Sequence, residues 1–406
     1  MVWDEARGGG SLTEIAGALH LDGVSLAQVA ARHGTPTYVY GRESLARRFA
    51  ELREALGGLG RPFQIRFAMK SNRHPEILAA VLREGDIDLD TCSPREVLRA
   101  LEAGFPRGRI SLTAGMLSNR DLVQVAQAGV VPNLDTFSAI RRWAETPGRA
   151  TDAIGLRINP GVKVGWGGSP KLAYGDAKFG FDRERVVDAA REARSRGLVV
   201  EELHVHLGWG MQAGDAAAAE VGYARLAEAC RAVGGVRRVN VGGGLCWPQR
   251  VEDAPLSLGA WTAAIRRALV EVPSDVEVVC EPGTWIAAAA GVLLVEVTTV
   301  EPRATATWVG VDAGHAVNLY AAHYGIPLFF IPVQAPRRPI PEVAGGPQRV
   351  NIGGNINEAN DVFALDVPFP EVTEGEILAL WPAGAYGASM ASDHCLRGQP
   401  AEVVVG

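Results

Sequence analysis

The sequence predicts an α/β protein, a (β/α)8 TIM-type barrel followed by a mostly-β domain of barrel or sandwich form. Three observations predict it. Eight apolar strand candidates alternate with amphipathic stretches, the alternation stops after Pro282-Gly283, and the 406 residues exceed the roughly 250–300 at which a single core stops growing. The expected division is residues 37–286 for the barrel, with 1–36 and 287–406 forming the β-domain.

The alternation begins after Gly34-Thr35-Pro36, where an apolar strand over 38–40 leads into a helical stretch over 43–56. The barrel strands are expected at 63–68, 86–90, 109–113, 131–135, 153–158, 201–207, 238–241 and 277–280. Between them, stretches such as 75–83, 94–103, 119–127, 182–196, 217–233 and 256–269 repeat their apolar residues at the helical period. Eight such units suit a closed barrel. Beyond residue 283 the texture changes to strands at 292–300, 306–311, 349–352 and 377–381 without helices of comparable length, and the Pro-rich stretch 331–347 reads as a surface loop.

A hydrophobic content of 47%, a charged content of 21% and a net charge of -6 describe an ordinary globular chain with no basic excess. Nucleic acid and anionic membranes are therefore unexpected partners, and small molecules are favoured. The start, with Asp4, Glu5 and Gly8 to Gly10, lacks a cationic stretch followed by an apolar one, and no uncharged apolar run reaches ~18 residues, so a cytoplasmic location is expected. Cys92, Cys230, Cys246, Cys280 and Cys395 are odd in number, widely spaced and without a CxxC pair, which argues against a disulfide framework or a zinc site; no metal is expected.

The chemically suggestive residues fall where the strands end, and barrels of this kind build their sites at the C-terminal ends of their strands. Phe67-Ala68-Met69-Lys70-Ser71-Asn72 puts a lysine just past the first barrel strand. Desolvation would make Lys70 a Schiff-base nucleophile; a surface lysine is the alternative. Asp90 and Asp135 end the second and fourth strands, where either can instead cap the helix that follows. His204-Val205-His206 ends the sixth, and alternation puts both imidazoles on one face. No carboxylate motif accompanies them, so His206 reads as a flat ring stacked on a planar cofactor, or else as a hydrogen-bonded buried histidine. Gly242-Gly243-Gly244 after the seventh can turn backbone N–H groups onto a phosphate, although such turns also occur without ligands. Glu281-Pro282-Gly283 ends the eighth with a carboxylate able to keep a pyridine nitrogen protonated.

Together these segments resemble the fold-type III pyridoxal-phosphate decarboxylases, the group of the diaminopimelate and ornithine decarboxylases, along nearly the whole chain. The resemblance implies pyridoxal 5'-phosphate as cofactor, with Lys70 as its Schiff-base lysine, His206 on its ring, Gly242, Gly243 and Gly244 at its phosphate and Glu281 at its ring nitrogen. Asp90, Arg157 in Arg157-Ile158-Asn159-Pro160, and Tyr386 in Ala383-Gly384-Ala385-Tyr386-Gly387 join the implied cofactor contacts. Lys178-Phe179-Gly180 and Asp312-Ala313-Gly314 match as well, and Thr284, Asp312, Tyr320, Glu358 and Tyr386 are the implied substrate contacts. A homodimer is implied, in which the second subunit supplies a loop matching residues 354–361, with Asn357 and Glu358 as its catalytic candidates.

The chain departs from that pattern in three places. The loop's cysteine-acid pair reads Asn357-Glu358, and an amide is no general acid at neutral pH, so Glu358, His394, Tyr386 or water must return the proton. The Glu-Pro-Gly-Arg step becomes Glu281-Pro282-Gly283-Thr284, and Trp209 stands for a serine. The Arg-Pro after the Asp-x-Gly motif is replaced within His315-Ala316-Val317-Asn318-Leu319-Tyr320. Two arginines that fork onto carboxylates are thus missing. The expectation is decarboxylation of a specialised amino acid or a carrier-bound aminoacyl group, as in antibiotic or siderophore pathways. The alternatives are meso-diaminopimelate decarboxylation for lysine synthesis, diversion of the carbanion to racemisation, transamination or carbon–carbon bond formation, and a non-catalytic binding protein.

Overall fold

The computed structural model describes residues 10–166, 177–250, 252–343 and 345–406. Asp4, Glu5, Gly8 and Gly9, which entered the reading of the start of the chain, lie outside them. The described chain opens with a hairpin of β1 (Leu12–Ile15) and β2 (Ala18–Leu21), followed by helix α1 (Leu26–His33) and strand β3 (Thr37–Gly41).

After helix α2 (Arg42–Gly57) come eight parallel strands: β4 (Phe63–Ala68), β5 (Ile87–Thr91), β6 (Ile110–Thr113), β7 (Val131–Leu134), β8 (Ala153–Asn159), β9 (Val199–Val205), β10 (Arg238–Asn240) and β11 (Glu277–Cys280). Each pairs with the next, and β11 pairs back onto β4 with Val278 opposite Phe63, so the sheet closes. These are the eight expected strands, each displaced by two residues or fewer. Both faces are covered, and apolar residues alternate with buried polar ones, as in Ile87-Asp88-Leu89-Asp90-Thr91, one set packing outward and the other filling the barrel interior.

The helices between them start where sequence chemistry starts them. At α3 (Pro75–Arg83) and α4 (Pro94–Glu102) proline occupies the first turn, where no N–H is needed. Ser93 accepts the Glu96 N–H at 3.2 Å while the Glu96 carboxylate accepts the Cys92 N–H at 2.7 Å, closing two open donors. Helix α4 then buries Pro94, Val97 and Ala100, three residues apart, against the barrel.

The second sheet contains β12 (Gly291–Pro302), β13 (Thr307–Val311), β14 (Phe329–Pro332), β15 (Arg349–Gly353), β16 (Val362–Pro368), β17 (Ile377–Trp381) and β18 (Ala401–Val405). Its order is β14-β17-β12-β13-β15-β16; β3 lies antiparallel to β12, and β18 runs parallel to β3. The architecture is therefore a TIM-type barrel followed by a mostly-β domain. Two expectations need correction. Residues 37–41 were assigned to the barrel, but β3 pairs with Gly291 to Leu294 in the second sheet, because a short apolar strand carries no local signal of which sheet will receive it. Ile331 and Pro332, expected in a loop, end β14. The opening hairpin also meets this part of the chain, the Leu19 N–H donating to the Val333 carbonyl at 2.8 Å. Among the described residues no helix is long and apolar enough to cross a membrane.

Candidate active site

At the C-terminal mouth of the barrel lies a cavity of about 490 Å³ lined by Lys70, Asp90, His206, Gly244, Glu281, Thr284, Tyr320 and Tyr386, among others. Four strand ends converge to make it. Lys70 sits in a short 3-10 turn directly after β4, with its side chain exposed to the cavity. Asp90 lies in β5, opposite Ala68 of β4. His206 follows β9 and Glu281 follows β11. The second domain adds Tyr320 and Tyr386, whose rings stack with centroids 5.0 Å apart, and the Tyr386 N–H donates to the Ser71 carbonyl at 2.7 Å. Tyr386 holds a left-handed backbone at φ 62, a conformation uncommon for a side chain of this size. A larger cleft of about 810 Å³ near His315, His323 and Phe363 contains none of the strand-end residues.

The floor of the cavity is a buried polar network. Glu281 is 6% exposed, with Oε2 3.0 Å from His204 Nε2 and Oε1 accepting from Asn240 Nδ2 at 2.6 Å. Asn240 also donates to Glu202 Oε1 at 2.9 Å, and Glu202 is gripped by Arg66 through two bonds of 2.9 and 2.8 Å. Burial by itself would raise the pKa of Glu281; the adjacent His204, the Arg66 guanidinium and the Asn240 bond override it and hold the group below the usual carboxylate range. Asp90 is pushed the other way, well above that range, by burial and by the neighbouring Glu281 charge, although Lys70 opposes the shift. Burial also drives His206 well below the imidazole range, with Lys70 and Arg157 adding to the effect. His206 is thus neutral. Its Nδ1 accepts the Gly243 N–H at 3.1 Å, so Nε2 carries the proton.

Several expected residues stand elsewhere. The Gly242 N–H is bonded to Asn240 Oδ1 at 2.9 Å and the Gly243 N–H to His206, so of the triplet only Gly244 lines the cavity. Close packing explains the other two glycines: a Cβ on Gly242 would lie 2.5 Å from the Val205 carbonyl oxygen, and one on Gly243 would collide with that of Glu281. Arg157 does not line the cavity; its guanidinium lies 4.3 Å from the centre of the Phe179 ring, and it reaches His206 through its charge. Asp312 also stands outside the cavity lining. Its Oδ1 accepts the Glu296 N–H at 2.8 Å on the second sheet, where it organises backbone. Asn357 and Glu358 are exposed on their loop, and Glu358 meets His394 at 3.2 Å, outside this chain's own cavity.

Other residues at the site escaped the sequence. Arg73, Glu96, Tyr324 and Ser389 line the cavity, and Arg66, Glu202 and Asn240 support its floor. The signal for Arg66 was present, since a charge inside the apolar run 63–68 points along the side-chain period into the barrel. Two departures noted separately in the sequence prove to touch: Trp209 Nε1–H donates to Thr284 Oγ1 at 3.2 Å.

The cavity fits the cofactor expected from the resemblance. Pyridoxal phosphate needs an amine for its aldehyde, an anion near its ring nitrogen and a flat neutral surface; Lys70, Glu281 and His206 provide one each around a single space. Gly283 keeps that space open, since a Cβ there would meet the Tyr386 hydroxyl at 3.1 Å and Ala68 at 3.2 Å.

Comparison with known proteins agrees. Residues 42–288 match the family described as pyridoxal-dependent decarboxylase, pyridoxal binding domain. The diaminopimelate decarboxylase of Methanothermobacter thermautotrophicus is 30% identical over 397 residues, covering 96% of this chain and 91% of the relative. That of Streptomyces coelicolor is 30% identical over 415 residues, covering 95% and 88%. The crystal structure of diaminopimelate decarboxylase from M. jannaschii in complex with L-lysine superposes with a TM-score of 0.86 at 25% identity, covering 100% of this chain and 94% of that one. The Helicobacter pylori diaminopimelate decarboxylase structure, at 24% identity, covers 94% of each chain with a TM-score of 0.84 and supports the fold alone. A matching family domain, relatives aligned from end to end and a cavity with an amine, an anion and a flat ring place this chain among the pyridoxal-phosphate-dependent decarboxylases of the diaminopimelate and ornithine decarboxylase family.

Proposed function

We propose that the enzyme decarboxylates an amino acid or carrier-bound aminoacyl group other than meso-diaminopimelate, in specialised metabolism of the antibiotic or siderophore kind. The observation that carries this reading is the aromatic wall of the cavity. Trp209 lies 5.8 Å from Tyr320 and 5.3 Å from Tyr324 by ring centroids, and Tyr320 stacks on Tyr386. The Trp209 N–H is taken by Thr284, so the indole offers its ring to the cavity. A wall of this kind suits an apolar, aromatic or cationic side chain better than a second carboxylate.

When bound, the cofactor supplies an electron sink for the pair left behind by CO2. In this reading Lys70 contributes the amine that binds the aldehyde, and ionised Glu281 holds a proton on the ring nitrogen. Neutral His206 would cover one face of the ring and exclude water there. Burial and the Glu281 charge beside it hold Asp90 well above the usual carboxylate range, which weakens its repulsion of Glu281. Gly244 would serve the phosphate side, Thr284 would face the substrate beside Trp209, and Tyr386 would close the mouth. The exposed Asn357-Glu358 loop, with His394 beside Glu358, completes the site of a second subunit in a homodimer and returns the proton.

A second reading, meso-diaminopimelate decarboxylation, is favoured by the names of the relatives at 30% identity. One experiment separates the two. The cofactor-loaded protein is offered meso-diaminopimelate beside a panel of D- and L-amino acids, CO2 release is measured, and Lys70→Ala serves as the blank. Release from another amino acid but not from meso-diaminopimelate supports the proposal. Release from meso-diaminopimelate alone overturns it in favour of the second reading, and full activity in Lys70→Ala overturns the role of Lys70.

A further inference from the structure

Beneath the cavity, His204 is 1% exposed and one step removed from the reacting space. Its Nε2 lies 3.0 Å from Glu281 Oε2; its Nδ1 is buried with no hydrogen-bond partner among the described residues. An ionised carboxylate only accepts, so the proton of this contact sits on Nε2. Among the described residues Glu281 is then the one hydrogen-bond partner of the ring, and Nδ1 has none inside the barrel. A buried polar atom left without a partner opposes folding, and an apolar ring of similar size would avoid that cost. The imidazole is therefore poorly explained by the needs of the fold.

The other donor to Glu281 is fixed just as firmly. Asn240 Oδ1 accepts the Gly242 N–H, which turns its amide nitrogen toward Glu202 and Glu281 and excludes the flipped orientation. Glu281 thus receives one donor on each oxygen. We infer that His204 is a positioning residue whose role is to occupy one oxygen of Glu281 and hold the carboxylate aimed into the cavity, so that a proton shared with a cofactor ring nitrogen stays on the ring. The inference rests on the proposed placement of that ring over Glu281. Arg66, Asp90 and His206 act on the same carboxylate, so His204 has to be changed alone.

The test measures the ring nitrogen directly. Protein loaded with 15N-labelled pyridoxal phosphate is compared as wild type, Glu281→Gln, His204→Phe and His204→Gln, by the 15N chemical shift at one pH and by cofactor affinity of the apoprotein. His204→Phe should fold as well as wild type, move the signal toward the unprotonated nitrogen and bind the cofactor about tenfold less tightly, the scale of one lost charged hydrogen bond. His204→Gln, which keeps a donor, should return both readouts toward wild type. A signal unmoved in Glu281→Gln would overturn the placement of the ring. A signal moved in Glu281→Gln but unmoved in His204→Phe would overturn the role of His204 alone. Failure of His204→Phe to fold would overturn it as well, since it would show that the fold needs this imidazole.

Discussion

Replacing Arg66 with methionine tests whether the polar floor of the barrel is held together as described. The side chains of Arg66 and Glu202 are 8% and 3% exposed, and their paired bonds are 2.9 and 2.8 Å long. Removing Arg66 leaves the buried Glu202 with Arg238, whose Nε lies 3.2 Å from Oε2, as its remaining cation, and loss of one partner of such a buried pair costs about 3–5 kcal/mol. In the wild type, burial would raise the pKa of Glu202, but Arg66 outweighs it and the folded value lies below the ordinary one. The stability that Glu202 contributes is then fully present above the unfolded pKa of roughly 4.3 and is lost as pH falls through the lower folded value. In Arg66→Met the burial effect loses its main opponent and the folded pKa of Glu202 rises. The penalty is therefore largest near pH 8 and shrinks toward pH 5 as the carboxylate takes up a proton. Urea denaturation followed through Trp143 and Trp261, both 1% exposed, measures the loss at each pH. The double change Arg66→Met with Glu202→Met should recover most of it, since no lone charge remains. A loss under about 1 kcal/mol, a loss independent of pH, or a double variant no better than the single one would refute the reasoning.

Gly243→Ala places a methyl group against the Glu281 carbonyl oxygen, and backbone strain of about 1–3 kcal/mol should appear as weaker cofactor retention in equilibrium dialysis. Trp209→Ala removes one side of the aromatic wall; cofactor content should be unchanged while KM for the natural amino acid rises and bulkier substrates are accepted, read by CO2 release. Asp361 is 4% exposed and accepts the N–H groups of His315 at 2.7 Å and Ile356 at 2.8 Å, so Asp361→Ala should free the 354–361 loop at a cost of about 1–3 kcal/mol. Faster hydrogen exchange at those two amides, with barrel amides unchanged, is the expected signature.

The barrel was legible because most strands carry apolar residues at alternate positions between helical stretches, with chemical residues at or just past several strand ends. Lys70, His206 and Glu281 were singled out by that position, and the resemblance gave them their roles. Arg66 and Glu202 were not, because a charge inside a strand looks like an interruption until closure of the barrel brings β4 and β9 face to face. Asp312 shows the opposite limit. A matched motif marks a segment, but the direction of its side chain depends on the sheet it joins, and here that side chain caps a neighbouring strand. The contact between Trp209 and Thr284 was equally hidden, since nothing in either segment says that the two will meet.

Strand β3 bears on how the protein is made. It is synthesised before the barrel, yet its neighbours β12 and β18 emerge only after the barrel is complete. Tyr40 on β3 donates to Glu402 on β18 at 2.7 Å, a bond between residues 362 positions apart. Loop closure over that distance is slow while the chain is growing, so β3 must leave the ribosome with open hydrogen-bonding edges. Deletion of β18 would leave one of those edges open permanently. The barrel could still close, but the second sheet would keep an edge able to capture another chain, and aggregation during expression should precede any loss of chemistry.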